Sequence, residues 1–272
     1  MNSKIHPTAV VHPDAQLAPD VFVGPYAIID AHVRIGPGCV IGAHAFLTGW
    51  TTLGANNRVH HGAVLGHEPQ DLAYDGSETK LVIGDHNTFR EYVTVHRAAT
   101  KDDRVTRIGD RNYFMVGSHI GHNARIANDC VLANNVLLAG HVELQDRVNI
   151  GGGAVLHQFV RVGRLAMLQG IAGVGKDVPP FCIAAGVNTI VGVNSIGLRR
   201  AGIDAEGRAA IKEAFRILYR SGLNVSQALK KLKAGHQTPE TKQWNEFIAA
   251  SRRGLCAGPK TAGVEEDAES LS

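Results

Sequence analysis

The sequence predicts an all-β solenoid followed by a small helical domain. Three observations carry this: an aliphatic residue returns every six positions, a small residue stands four places after it, and helical spacing replaces the period beyond Pro179-Pro180. From Ile5 the phase runs unbroken through Val11, Leu17, Val23, Ile29, Ile35, Ile41, Leu47, Leu53 and Val59 to Leu65. It resumes at Ile83, Phe89 and Val95, then runs from Ile108 through Phe114, Ile120, Ile126, Leu132, Leu138, Leu144, Ile150, Leu156, Val162 and Leu168 to Val174. All 26 positions are aliphatic or Phe, and the residue four places on is Ala, Val, Cys, Ser or Thr in 22 of them, so chance does not account for the period. The exceptions are Asn57, Pro69, Asn87 and Asn112. Self-similarity at a fixed period marks a repeat architecture. Six is neither the 3.6 of a helix nor the 2.0 of a half-exposed strand. It suits a triangular coil of about 18 residues, in which each short strand sends one large and one small side chain inward and Gly or Asn takes the positive φ at the corners.

The solenoid is assigned to residues 1–190, with loops extruded at 71–82 and 101–107. Both leave from the hexad that closes a coil, so they emerge near one edge of the prism, where functional loops gather. The helical domain is assigned to residues 191–257. Asp204 caps a helix carrying Ile211, Phe215, Leu218 and Tyr219, closed by Gly222. A second helix spans about Val225 to Lys233, and Thr238-Pro239 opens a third with Trp244, Phe247 and Ile248. Residues 258–272, rich in Glu, Ser and Ala, are expected to be disordered.

With 272 residues and 44% hydrophobic content the chain has ample material for a core. The four cysteines, Cys39, Cys130, Cys182 and Cys256, form no CxxC pair and read as buried fillers. A net charge of +3, with no basic cluster beside stacking aromatics, gives no argument for nucleic acid. No apolar run has the length of a membrane span, the start Met1-Asn2-Ser3-Lys4-Ile5 lacks the apolar stretch of a signal peptide, and a cytoplasmic protein is expected.

Coil arithmetic singles out a set of histidines among the 14 in the chain. With hexads 95, 120, 138 and 156 in one column, Arg97, His122, Gly140 and Gln158 occupy equivalent slots on successive coils. His96 and His157 precede that slot, His141 follows it, His119 lies one corner earlier, and the loop beginning Gln70-Asp71 leaves from the same column. Imidazoles with a carboxylate and amides make too polar a set for a core, and they read as a site. No metal is assigned, because the set lacks an HxH or HxxxH pair on one strand. A neutral imidazole suits general-base removal of a proton from a hydroxyl or amine attacking an acyl carbonyl. No GxSxG motif offers a nucleophile, which favours direct transfer. Gly140, level with His122, is the candidate oxyanion donor through its backbone N–H.

The hexads resemble the left-handed parallel β-helix of hexapeptide-repeat acyltransferases over about residues 5–185. A narrower resemblance rests on Gln70-Asp71-Leu72, His96-Arg97, His119-Ile120-Gly121-His122, Leu132-Ala133-Asn134-Asn135, Leu138-Ala139-Gly140-His141-Val142, His157-Gln158-Phe159, Asp177-Val178-Pro179-Pro180 and Gly197-Leu198-Arg199-Arg200. In this order they resemble the acyl-carrier-protein-dependent UDP-N-acetylglucosamine O-acyltransferases, which begin lipid A biosynthesis. The resemblance implies that His122 deprotonates the sugar 3-hydroxyl for attack on a 3-hydroxyacyl thioester, with acyl carrier protein bringing the co-substrate and no cofactor. It implies substrate contacts or site-shaping roles for Gln70, Asp71, His119, His141, His157 and Gln158, and nucleotide- or carrier-side contacts for Asn194 and Arg200. It also implies a homotrimer with sites between neighbouring prisms, and an acyl groove ending near Leu168, Gln169 and Gly170. The basic residues Arg199, Arg200, Lys212, Arg216, Arg220, Lys230, Lys231 and Lys233 offer a surface to an acidic carrier protein.

Departures from the family pattern are Asn123 after the base, where Asp is usual, Ala73 in place of Lys, and Ile196 and Ala201 where Glu and Arg are common. They leave open an acceptor with a 3-amino group, giving an amide. An acetyl-CoA-dependent hexapeptide transferase acting on another small acceptor, and a scaffold like the γ-type carbonic anhydrases that has lost its metal, or a binding module, are the other readings.

Overall fold

In the computed structural model the chain winds as a left-handed parallel β-helix, and the structure describes residues 4–100 and 102–259. Among the described residues short strands stack coil upon coil into sheets of eleven, nine and eight strands, one for each side of the prism, parallel throughout except for the last pair of the largest sheet. Ile5 pairs with Val23, Val10 with Ile28 and Gln16 with Arg34, so each coil lies directly on the next. From Val23 onward every aliphatic hexad residue is at most 3% exposed, and the small residue four places on is buried beside it. Each such Leu, Ile or Val contributes about 1.5–3 kcal/mol by leaving water. Within the core Phe89 stacks on Phe114 with ring centroids 4.9 Å apart.

Three of the four exceptions to the small-residue rule form a ladder. The Oδ1 of Asn57 accepts the backbone and side-chain N–H of Asn87, the Oδ1 of Asn87 accepts both from Asn112, and the Oδ1 of Asn112 accepts the Cys130 N–H. Buried amides are stable there because each lone pair and N–H is spent on the next coil.

Gly38, Gly62, Gly117, Asn56 and Asn135 take the positive φ expected of Gly or Asn at the corners, and larger residues join them. Tyr26, Tyr92, Phe159 and Ile171 hold φ between 57° and 65°, a conformation costing about 1–2 kcal/mol for an L-residue. The stack offsets this, since the N–H of Tyr92, Phe159 and Ile171 donates to a carbonyl on the preceding coil, and the side chains stand out in solvent.

Two loops interrupt the winding, both where a strand of the nine-stranded sheet ends, after Val64–His67 and after Thr94–His96. They begin and end earlier than the sequence suggests, spanning 68–79 and 97–104. Residues 80–82 belong to strand Lys80–Ile83, paired with Trp50–Leu53, and residues 105–107 belong to Val105–Ile108, paired with Lys80–Ile83. Thr51, Leu81 and Thr106 point inward and extend these strands by a further buried position. The loops are tied together: Arg97 donates to the hydroxyl of Tyr74, and Thr100 Oγ1 to Asp75 Oδ1.

Beyond the prism come a closing hairpin, Cys182–Ala185 with Thr189–Val193, and, among the described residues, four helices: α1 (Ser195–Arg200), α2 (Ala205–Tyr219), α3 (Val225–Ala234) and α4 (Pro239–Ala249). Asp204 caps α2, and reciprocal boxes, Asn224 with Gln227 and Thr238 with Thr241, cap α3 and α4. Helix α1, capped by Asn194, had no sequence expectation. After α4 the chain returns to the prism, where Leu255 bridges Asp177 and Ala257 bridges Thr189. Residues 258 and 259 are described, with Gly258 against the Tyr219 ring; the expected disorder of the remaining tail falls on 260–272, outside the described residues. Among the described residues no helix is long and apolar enough to cross a membrane.

Candidate active site

Strand register builds the site. Val95 pairs with Ile120, Ile120 with Leu138 and Leu138 with Leu156. The residues that follow, Arg97, His122, Gly140 and Gln158, therefore project from one corner on successive coils. A cavity of about 610 Å³ opens there. Gln70, His96, His119, His122 and Gln158 supply its polar groups, while Leu137 and Val155 give it an apolar wall.

Every imidazole at the corner is held. His96 Nδ1 contacts the Glu68 carbonyl, and His119 Nδ1 lies 2.8 Å from Thr94 Oγ1. Burial, reinforced by His96 and His122, pushes His119 down to about 4, and burial lowers His96 as well. These two rings are therefore neutral donors and acceptors near pH 7. His122 Nδ1 lies 2.9 Å from Asn123 Oδ1, and that oxygen also accepts the Ala99 N–H at 2.8 Å. The Ala99 donor identifies the Asn123 atom as the oxygen, so His122 must carry its proton on Nδ1 and its lone pair on Nε2. A third contact, Asn123 N–H to Thr106 Oγ1 at 2.8 Å, fixes the amide in place.

Gly140 lies beside that lone pair. A Cβ built there would fall 2.5 Å from His122 Nε2, so only glycine leaves the space in front of the base open. The chain neighbours of Gly140 donate across the coils, Ala139 to Leu156 and His141 to His122.

His141 packs edge-on against His122, with centroids 5.3 Å apart and rings at 87°. It stacks on Phe159 at 4.4 Å, and its Nδ1 lies 3.0 Å from Asp102 Oδ2. His141 lines a second cavity of about 880 Å³ with Asp102, Asp103, Arg125, Arg252 and Arg253. His122 thus lines an apolar-walled cavity and His141 a charged one.

Other expected residues are placed elsewhere. His157 is exposed, its Nδ1 against the Gln158 carbonyl, and it lines neither cavity. Asp71 caps its own loop through the Ala73 N–H. Asn194 caps α1 and donates to the Leu165 carbonyl, and Arg200 is exposed at the end of α1. Leu168 corrects the acyl-groove set: it is a hexad residue, 0% exposed in the core, so its side chain cannot line an external groove, whereas Gln169 and Gly170 are exposed. Sequence reasoning missed Thr94, Phe159 and Asp102. Register alone identifies Thr94, opposite His119, but no pattern marks Asp102 in its loop. Among the described residues no group of three or more His, Cys, Asp or Glu is arranged to hold a metal ion.

A hexapeptide coil whose corner presents an oriented imidazole beside an open glycine defines a hexapeptide-repeat acyltransferase, and comparison agrees. Residues 14–49 match the bacterial transferase hexapeptide family (six repeats), and residues 177–256 match domain 2 of UDP-N-acetylglucosamine O-acyltransferase. The chain belongs to the family of acyl-[acyl-carrier-protein]–UDP-N-acetylglucosamine O-acyltransferases. Its member from Anaeromyxobacter sp. (strain Fw109-5) is 46% identical over 92% of this chain and 98% of its own. That from Synechocystis sp. is 44% identical over 96% of each. The solved UDP-N-acetylglucosamine acyltransferase of Francisella novicida superposes with a TM-score of 0.92 at 36% identity, covering 98% of this chain and 99% of that one.

Proposed function

We propose that the chain transfers a (3R)-3-hydroxyacyl group from acyl carrier protein to the 3-hydroxyl of UDP-N-acetylglucosamine, at the start of lipid A biosynthesis in the cytoplasm. The observation that carries this reading is the His122 tautomer, with its Nε2 lone pair facing the space kept open by Gly140. His122 takes the hydroxyl proton as the sugar oxygen attacks the thioester carbonyl. Negative charge gathers on the carbonyl oxygen, where the Gly140 N–H donates to it. Collapse breaks the C–S bond, and the imidazolium returns the proton to the departing sulfur. The sugar ester and the carrier thiol are the products.

Direct transfer fits the cysteines, which are all buried. Burial raises the Cys39 and Cys182 thiols and pushes Cys130 and Cys256 up to about 12, so none is a ready nucleophile. Gln70 and Gln158 have the side chains to hold sugar hydroxyls in the cavity, and His119 and His141 to orient the acceptor. Asp71, His157, Asn194 and Arg200 are assigned to substrate contacts completed by a neighbouring copy in a homotrimer. The outward, exposed Val10, Ile28, Leu137 and Val155 of one sheet support such packing. Gln169 and Gly170 are assigned to the end of the acyl groove.

The test is incubation with UDP-N-acetylglucosamine or its 3-amino analogue, and a panel of 3-hydroxyacyl carrier proteins or acetyl-CoA, with products identified by mass. A 3-O-hydroxyacyl ester is expected. Turnover with acetyl-CoA alone would overturn the donor, an amide from the 3-amino sugar alone would overturn the acceptor, and stoichiometric zinc required for turnover would overturn the general-base mechanism.

A further inference from the structure

We infer that Asp102 is a positioning residue for the transfer, acting through His141. The inference rests on the acyl-transfer reading above and adds a residue to its machinery. Both imidazoles of the pair are oriented by an oxygen on Nδ1, which sets the tautomer and the ring angle together. On His122 that oxygen is the neutral amide of Asn123, and on His141 it is the carboxylate of Asp102, 3.0 Å away. Position 123 brings no charge to the base, and a carboxylate enters from the loop between Thr94–His96 and Val105–Ile108 and meets the second ring.

One loop therefore serves both rings. The Ala99 N–H fixes the Asn123 oxygen, and three residues on Asp102 reaches His141. The His141 backbone is fixed by its N–H bond to the His122 carbonyl at 2.9 Å, and its ring plane by stacking on Phe159. The Asp102 contact requires a proton on Nδ1. The His141 side chain is 11% exposed and that of Asp102 59%, so the pair is open to water on one side and a modest effect is expected.

The test is steady-state kinetics of the full chain with UDP-N-acetylglucosamine and 3-hydroxyacyl carrier protein, for Asp102→Ala, Asp102→Asn, His141→Ala, Asp102→Ala with His141→Ala, Asp103→Asn and His122→Ala. Asp102→Ala should lower kcat about fivefold, the scale of a partly exposed pair, with KM for the nucleotide sugar nearly unchanged. Asp102→Asn, which keeps an oxygen on Nδ1, should recover part of the loss. The double variant should be no slower than His141→Ala, because Asp102 has no role without its imidazole. Asp103→Asn, which removes a partner of Arg107 and Arg125, should stay near wild type. In ¹⁵N-histidine spectra, His141 should hold Nδ1–H in the wild type and Asp102→Asn and become a tautomer mixture in Asp102→Ala. Wild-type kcat in Asp102→Ala, an undiminished Asp102 effect without His141, or an equal loss in Asp103→Asn would overturn the inference. His122→Ala separates the two proposals: if it stays active the base assignment fails, and if it is inactive while Asp102→Ala is normal only the role of Asp102 fails.

Discussion

The first coils and the middle coils of the prism both carry histidines at the same corner, and only those of the middle coils are enclosed. His12 is exposed with Asp14 as its neighbour, and His32 lies exposed and flat against Trp50, with centroids 4.8 Å apart. Further along the column His96 is 8% exposed, and burial has lowered both His96 and His119. The backbone address is the same in the two regions; the cover differs. The inserted loops leave beside the middle coils, and Arg97 pins them through Glu68 and Tyr74. Register delivers a side chain to an edge, and loops turn part of that edge into a site.

The largest effect that would break this comparison is catalytic. His122→Ala should lower kcat by about 10²–10⁴-fold, the range for a lost general base, while His12→Ala at the uncovered end changes kcat little. Equal losses in the two variants, read by product mass per unit time, would mean that the corner itself and not its covered part is the site. Gly140→Ala comes next. Its Cβ would need to occupy a point 2.5 Å from His122 Nε2, so the imidazole must move. A displacement of that order costs about 10²-fold. A kcat within about twofold of wild type, with His122 unmoved in a crystal structure of the variant, would remove Gly140 from the front of the base.

Much of this was legible in the sequence because a hexad assigns every residue an inward or outward position and a level in the stack. The column through residues 95, 120, 138 and 156, the closeness of His122 to Gly140 and His141, and the caps Asp204 and Thr238 all follow from local rules. The same rule applied to Leu168 places it inside the core, where the groove assignment overlooked it. His157 and His96 occupy equivalent slots, and their different fates depend on loops whose paths the period does not describe. Asp102 was illegible for that reason: its meeting with His141 is set by an irregular loop. Helix α1 was missed because six residues containing Gly197 carry too little helical periodicity to register.

Stability offers a second contrast between the regions. At the slot of the asparagine ladder the first coils have Val21 and Cys39, while the coils bearing the loops have Asn57, Asn87 and Asn112, all at most 1% exposed. Asn87→Ala should cost about 2–4 kcal/mol, since it leaves Asn57 Oδ1 without the side-chain N–H it accepts and strands the Asn112 donors. Cys39→Ala should cost less, because it removes a thiol rather than the middle rung of a ladder. Urea unfolding followed by circular dichroism compares them, and equal midpoints would show that the ladder does not pin the interrupted coils.

The smallest expected effect concerns pH and sharpens the comparison at a covered histidine. Burial holds His119 at about 4 in the fold, against 6.5 for the free side chain. Between these values the unfolded chain binds a proton that the folded chain does not, so stability rises with pH across this window. The stabilising contribution is present above about 6.5 and is lost as pH falls toward 4. His119→Gln, which removes the titrating group and keeps a partner for Thr94, should flatten the fall in melting temperature between pH 6.5 and 4. If His119→Gln keeps the slope of the wild type, burial of this ring does not set its protonation in the fold.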